Sequence, residues 1–209
     1  ESNVTNRPKL IINYTNRPSV TTPIIAPSTA FIDTDITVNT TYSDIDGLNG
    51  TIYFIIYVNN TILTNTSYTD ARSNILVTLV TNGYTHFDIV NASVQARNVD
   101  GIYSLVKYSS FINISNRIPT ITGATITPDP ASANDNLTCV NSTVNDIDGD
   151  ALTYAYKWYK NDTIQSYTTQ ILGGGNVSNT DKWQCSINIS DGYNWSGASY
   201  SQQVIIGSV

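Results

Sequence analysis

Apolar and polar residues alternate along much of the chain with a period of two, which belongs to strands and not to helices. In the second half, Leu152, Tyr154, Tyr156 and Trp158 share one side of such a run, and Thr153, Ala155 and Lys157 share the other. Trp183, Cys185, Ile187 and Ile189 make another inward row, with Lys182, Gln184, Ser186 and Asn188 outward. In the first half, Ala92, Val94 and Ala96 face in while Asn91, Ser93 and Gln95 face out. The runs are about 5 to 10 residues long and close on turn residues, the spacing of a sandwich of about seven strands.

The pattern occurs twice. SDIDG (Ser43–Gly47) returns as NDIDG (Asn145–Gly149), each followed by an apolar and aromatic run, and VDG (Val99–Gly101) returns as SDG (Ser190–Gly192). A joint motif appears as NVTNRP (Asn3–Pro8), NYTNRP (Asn13–Pro18) and NISNRIP (Asn113–Pro119). Pro18 and Pro119 disfavour helix at the residue before them and read as stiff, extended joints. The expected organisation is an extended segment 1–18, a sandwich over 19–112, a linker 113–118 and a second sandwich over 119–209.

Composition supports an all-β reading and narrows function. Of the 209 residues only 12% are charged, Glu1 is the single glutamate and methionine is absent. Thr, Asn, Ser, Ile, Val and Tyr dominate instead, a palette poor in surface helix formers. The net charge of −6 comes with no basic cluster, so nucleic acid is a poor partner. No run reaches the ~18 apolar residues of a membrane helix, and no signal sequence opens the chain. Lacking an initiator methionine, the chain reads as a processed product or a piece of something longer.

The N-x-S/T sequon begins at Asn3, Asn13, Asn39, Asn49, Asn59, Asn65, Asn91, Asn113, Asn136, Asn141, Asn161, Asn176, Asn188 and Asn194, fourteen times in all. With 24 asparagines and 49 serines and threonines in the chain, random placement gives only about six. Asn39, Asn91 and Asn188 fall on outward positions, where an attached glycan would stay in water. The competing reading is that these are turn and strand residues that meet by accident. Covalent N-linked glycans are therefore the expected decoration, and an extracellular or cell-surface location the expected setting.

Cys139 lies on the second expected strand of its repeat, Trp158 on the third and Cys185 on the penultimate one, with DKWQC around the second cysteine. This resembles the immunoglobulin fold, in which a disulfide joins the two sheets and a tryptophan packs on it. The resemblance implies a Cys139–Cys185 bridge; the alternative is two buried free thiols. Trp183 stands where the family has a tyrosine, which puts that residue's corner hydrogen bond in doubt. The first repeat has no cysteine; Val38, Val94 and Ile56 align approximately with Cys139, Cys185 and Trp158, so an apolar plug is expected there and the first domain is expected to be the weaker. NDIDGDALTYAYKW also resembles the immunoglobulin-like, PKD-like and cadherin-like repeats of bacterial and archaeal surface proteins, and the composition resembles archaeal surface-layer or filament proteins. Such modules imply adhesion, spacing or assembly, and no particular ligand.

Catalytic chemistry has few suppliers. His86 is the only histidine and follows NGYT, a turn sequence, so a surface histidine is the preferred reading over a catalytic one. Gly173–Gly175 lack the Lys-Ser/Thr of a phosphate loop and read as a flexible connection. Asp146, Asp148 and Asp150 could offer oxygen ligands to a structural Ca²⁺, against the alternative of an Asx turn between strands. A pair of carboxylates for glycoside hydrolysis is a weaker reading still. No enzyme is expected.

The front of the chain carries one more signal. LIINYTNRP (Leu10–Pro18) resembles SFINISNRIP (Ser110–Pro119), so a last-strand sequence precedes the first domain with no domain of its own. Alone it would be an unpaired apolar strand. The sequence is read either as cut from a longer array or as a donor strand, Lys9, Leu10, Ile11, Ile12, Asn13 and Tyr14, that pairs with the far domain of the next copy. A homopolymeric filament or layer is the leading expectation. An adhesin or receptor stalk, binding carbohydrate or protein through its loops, is the alternative, and an exposed Tyr193–Trp195 cluster would favour it.

Overall fold

The computed structural model describes residues 16–72, 76–141 and 143–207, with the backbone alone for 76–81. The donor-strand residues Lys9–Tyr14 lie outside this range. Between Ser115 and Asn116 the chain divides into two units, domain 1 and domain 2.

Domain 1 contains β1 (Ser19–Val20), β2 (Ile24–Ala26), β3 (Ile36–Ser43), β4 (Gly50–Val58), β5 (Thr61–Ala71), β6 (Leu76–Thr81), β7 (Ile89–Asn98), β8 (Lys107–Tyr108) and β9 (Ile112–Asn113). One sheet flanks β3 with β1 and β2 on one side and β6 on the other; the second runs β5-β4-β7-β8, with β9 also on β7. Alternation decides what lies between them. Ile52, Phe54 and Ile56 of β4 meet Val90, Ala92, Val94 and Ala96 of β7 and Ile36, Val38 and Tyr42 of β3, all buried. Each large side chain so removed from water stabilises the fold by roughly 1.5–3 kcal/mol.

Domain 2 contains β10 (Thr120–Thr122), β11 (Thr125–Thr127), β12 (Ala131–Ser132), β13 (Leu137–Val140), β14 (Thr143–Asn145), β15 (Thr153–Lys160), β16 (Thr163–Ile164), β17 (Ile171–Leu172), a 3-10 turn at Gly174–Asn176, then β18 (Lys182–Ser190), β19 (Ser199–Tyr200) and β20 (Val204–Gly207). The large sheet runs β12-β20-β18-β15-β16, with β19 also on β18; β11-β13-β17 and β10-β14 supply the other layer. The strands pair antiparallel except β12 with β20. Cys139 and Cys185 form a disulfide with Cα atoms 6.1 Å apart. Trp158 and Trp183 meet edge to face at 6.2 Å beside it.

The two cores align through their ladders. Ile25 pairs with Val38 as Ile126 pairs with Cys139, and Ile56 pairs with Ala92 as Trp158 pairs with Cys185. Val38 therefore occupies the first cysteine position, but the second belongs to Ala92 and not to Val94. Approximate alignment cannot see a two-residue slip, because both residues face the core.

Expectations of depth also shift, one on an inward row and two on outward rows. Tyr154, on the inward row of β15, is 41% exposed and stacks on Tyr156 at 6.4 Å. Ser93 and Ser186 hold outward positions yet are buried, and Ser93 lies 3.3 Å from the Tyr57 hydroxyl. Periodicity sets the side to which a residue points; the neighbours that cover it set its depth. The expected flexible glycine run is instead an ordered 3-10 turn. A Cβ on Gly174 would stand 1.9 Å from the Asn134 carbonyl oxygen, so the turn needs glycine for close approach.

Candidate functional site

Twelve of the fourteen sequon asparagines fall within the described residues, and none of the twelve is buried. Asn59, Asn65, Asn113, Asn136, Asn161 and Asn176 are exposed; Asn39, Asn49, Asn91, Asn141, Asn188 and Asn194 are half-buried. Asn3 and Asn13 lie outside the described residues.

What each amide does divides them. Asn59 and Asn161 open equivalent two-residue hairpins, with φ of 50° and 64° at Asn59 and Asn60 and 47° and 67° at Asn161 and Asp162. Positive φ at both central positions is the type I′ turn that asparagine tolerates best. The Asn59 side chain accepts from the Ile89 amide while its backbone N–H donates to the Ile89 carbonyl; Asn161 does the same with Lys182. These two sequons thus carry a structural duty in addition to any acceptor role. Asn59 Nδ2 also donates to Asp88 at 2.6 Å, Asn49 Nδ2 to Asp70, Asn176 Nδ2 to the Gly173 carbonyl and Asn188 Nδ2 to the Ser196 carbonyl. Among the described residues, Asn65, Asn91, Asn113, Asn141 and Asn194 leave their side-chain amides unengaged, the state that suits attachment of a sugar.

An equivalent carboxylate anchors each domain. Asp88 accepts from the Thr85 backbone and hydroxyl and from Asn59; Asp181 accepts from the Ser178 backbone and pairs with Lys160 at 2.8 Å. Burial pushes both carboxyls up, but these hydrogen bonds, with the Lys160 charge at Asp181, outweigh it and hold both below the ordinary value. Lys160 also sits 5.5 Å over the Trp183 ring, so Trp183 is held by an edge-to-face contact with Trp158 and by a cation.

The acidic turns close on the joint motif. In domain 1 the Asn16 backbone and side chain donate to Asp46, and Asp44 accepts from the Asp46 amide. In domain 2 the Arg117 backbone and guanidinium occupy both oxygens of Asp148, and Asp146 Oδ1 accepts from the Asp148 and Gly149 amides. Asp148 is therefore held by Arg117. Among the described residues, carboxylate oxygens of Asp146, Asp150 and Asp191 lie within 4.8 Å of one another, and an oxygen of Asp148 comes equally near to Asp150. Asp191, at the other repeated turn, is absent from the alternate-aspartate pattern, and only the fold brings it there. Its oxygens accept from Asn116, Tyr193 and Asn194, which hold its carboxyl down against the upward push of burial. Any cation here would meet hard oxygen donors from these three residues, while Asp146 also builds an Asx turn.

Tyr193 and Trp195 are both more than half exposed on the loop that follows Asp191. Asn194, the first residue of a sequon, stands between them.

No protein-family model and no curated protein matches the chain. Among solved structures it is similar to the FN1–FN3 domains of chicken CNTN1, at 12% identity over 90% of this chain and 68% of that one, with a TM-score of 0.34. It is similar also to the fibronectin(III)-like modules of Clostridium thermocellum CbhA, at 15% identity over 91% and 95%, TM-score 0.29. A third is a 1.5-MDa bacterial ice-binding adhesin, at 17% identity over 93% of this chain and 66% of that one, TM-score 0.37.

Proposed function

We propose that the chain is a structural, non-catalytic subunit of a densely N-glycosylated extracellular filament or surface layer. The observation that carries this is the placement of the acceptors: all twelve described sequon asparagines avoid the interior, and they occur in both domains. Carbohydrate at those positions would coat the protein and leave little bare surface for a ligand. The disulfide agrees with an oxidising, extracellular setting. Copies join head to tail through Lys9–Tyr14, which add as a strand to the far domain of the next subunit. Such heterologous contacts propagate into open fibres unless a rotation closes them.

The exposed Tyr193 and Trp195 are the observation that favours the adhesin reading, since aromatic faces bind sugars. A glycan on Asn194 would cover them, so we prefer the structural reading. Electron microscopy of the native material, together with a chain lacking residues 1–14, tests it. Glycosylated polymers from the full chain and monomers from the shortened one are expected; intact filaments from the shortened chain would end the assembly model.

A further inference from the structure

On the outward side of the second sheet of domain 1, Tyr57 of β4 stands directly opposite Asn91 of β7. Two residues along β7, Ser93 stands opposite Tyr108 of β8. The rings of Tyr57 and Tyr108 flank a cleft of about 200 Å³ whose other walls are Asn60 and Asn91. It adjoins a second cleft of about 210 Å³ lined by the same two tyrosines with Tyr53, Ile55, Gln95 and Val106. The Asn91 side chain makes no hydrogen bond among the described residues, so its amide sits at the cleft wall uncommitted.

Domain 2 repeats the platform with one change. Tyr159 stands opposite Gln184, and Ser186 opposite Tyr200, matching Tyr57, Asn91, Ser93 and Tyr108 position by position. Glutamine is no glycan acceptor. There the two tyrosine rings close on each other, with centroids 6.0 Å apart. The platform is thus shut where the facing residue is Gln184 and open where it is the acceptor Asn91.

We propose that the first sugars of a glycan on Asn91 fold back over the sheet and occupy the cleft between Tyr57 and Tyr108. The inference rests on the glycoprotein reading above and names what one of its glycans does. A pyranose ring presents C–H faces that pack on aromatic faces and a rim of hydroxyls that suits the Tyr108 hydroxyl and Gln95 Oε1, the Gln95 Nε2 being given to the Ser104 carbonyl. Covalent attachment at the cleft wall keeps the sugar at high effective concentration, so a weak contact is enough to hold it. The glycan then shields exposed tyrosine and stabilises domain 1.

The test uses the glycoprotein from its native source. Mass spectrometry of the Asn91 peptide reports occupancy, and thermal unfolding compares Asn91→Gln in the parent and in a Tyr108→Ala background. Tyr108 is more than half exposed, so its truncation should leave the fold intact; Tyr57→Leu is the second background. Asn91→Gln should lower the domain 1 midpoint by about 4 °C in the parent and by almost nothing without the tyrosine. Density for an ordered first sugar over Tyr57 and Tyr108 in a cryo-EM map is the expected structural counterpart. An occupied Asn91 with an equal shift in both backgrounds, or with its sugar directed into solvent, overturns the proposal and leaves the glycoprotein reading standing. So does a bare Asn91 on a chain glycosylated elsewhere. A chain bare at every sequon overturns both.

Discussion

At the scale of single residues, the same amino acid serves different ends according to what surrounds it. Asn59 and Asn161 are sequons by their spelling and turn-formers by their φ values, while Asn65 and Asn91 have no competing bond among the described residues. Sequence can report the N-x-S/T spelling but not the free or engaged state of an amide, because the partners Asp88, Ile89 and Lys182 lie about 20 to 30 residues away. Gly174 shows the converse: its Gly-Gly-Gly context suggests looseness, yet its packing tolerates no side chain. Gly174→Ala should destabilise domain 2 by about 2–4 kcal/mol, since the clash is with backbone and a shift of the Asn134 segment is required. Urea unfolding monitored by tryptophan fluorescence checks this, because Trp158 and Trp183 both lie in that core.

At the scale of elements, each domain sets its β7 or β18 strand with a carboxylate just before it and two serines after it. Ser104 and Ser109 return their hydroxyls to the Ala96 and Ala92 amides; Ser196 and Ser201 do the same for Ile189 and Cys185. These buried hydroxyls close the gaps that the interrupted last strand would leave in the ladder. The preceding carboxylates make both domains acid-sensitive. Asp88 and Asp181 have folded pKa values below the ordinary 3.8. The unfolded chain therefore takes up protons first as acid is added. Their contribution is fully present above that ordinary value and is lost as the pH falls through the lower folded values. Thermal midpoints of both domains should drop as the pH is taken below about 4, and Asp181→Asn should flatten the dependence in domain 2 alone. An unchanged slope in that variant would remove Asp181 from the account.

At the scale of the molecule, two domains of one design solve the centre of the core differently. Domain 2 joins its layers through Cys139–Cys185 under Trp158; domain 1 fills the same places with Val38, Ala92 and Ile56. Closing a loop over a sequence separation of 46 stabilises domain 2 by about 4 kcal/mol in the chain-entropy picture. Reduction should therefore lower the unfolding midpoint of domain 2 and leave that of domain 1 where it was, as calorimetry with and without a thiol reductant would show. A shift of the domain 1 transition on reduction would contradict the separate-core description.

The strand period, the repeated turn motifs and the surplus of sequons were all legible in the order of the residues. Each is a local property, set by side-chain alternation, turn chemistry or composition, and needs no knowledge of distant contacts. The joining of Asp191 to Asp146 and Asp150, the capture of Asp148 by Arg117, the exposure of Tyr154, the choice of Ala92 over Val94 and the open tyrosine cleft beside Asn91 belonged to the tertiary structure. Each depends on which segment, far away in sequence, comes to lie against the residue, and a pattern of period two carries no information about depth or about that partner.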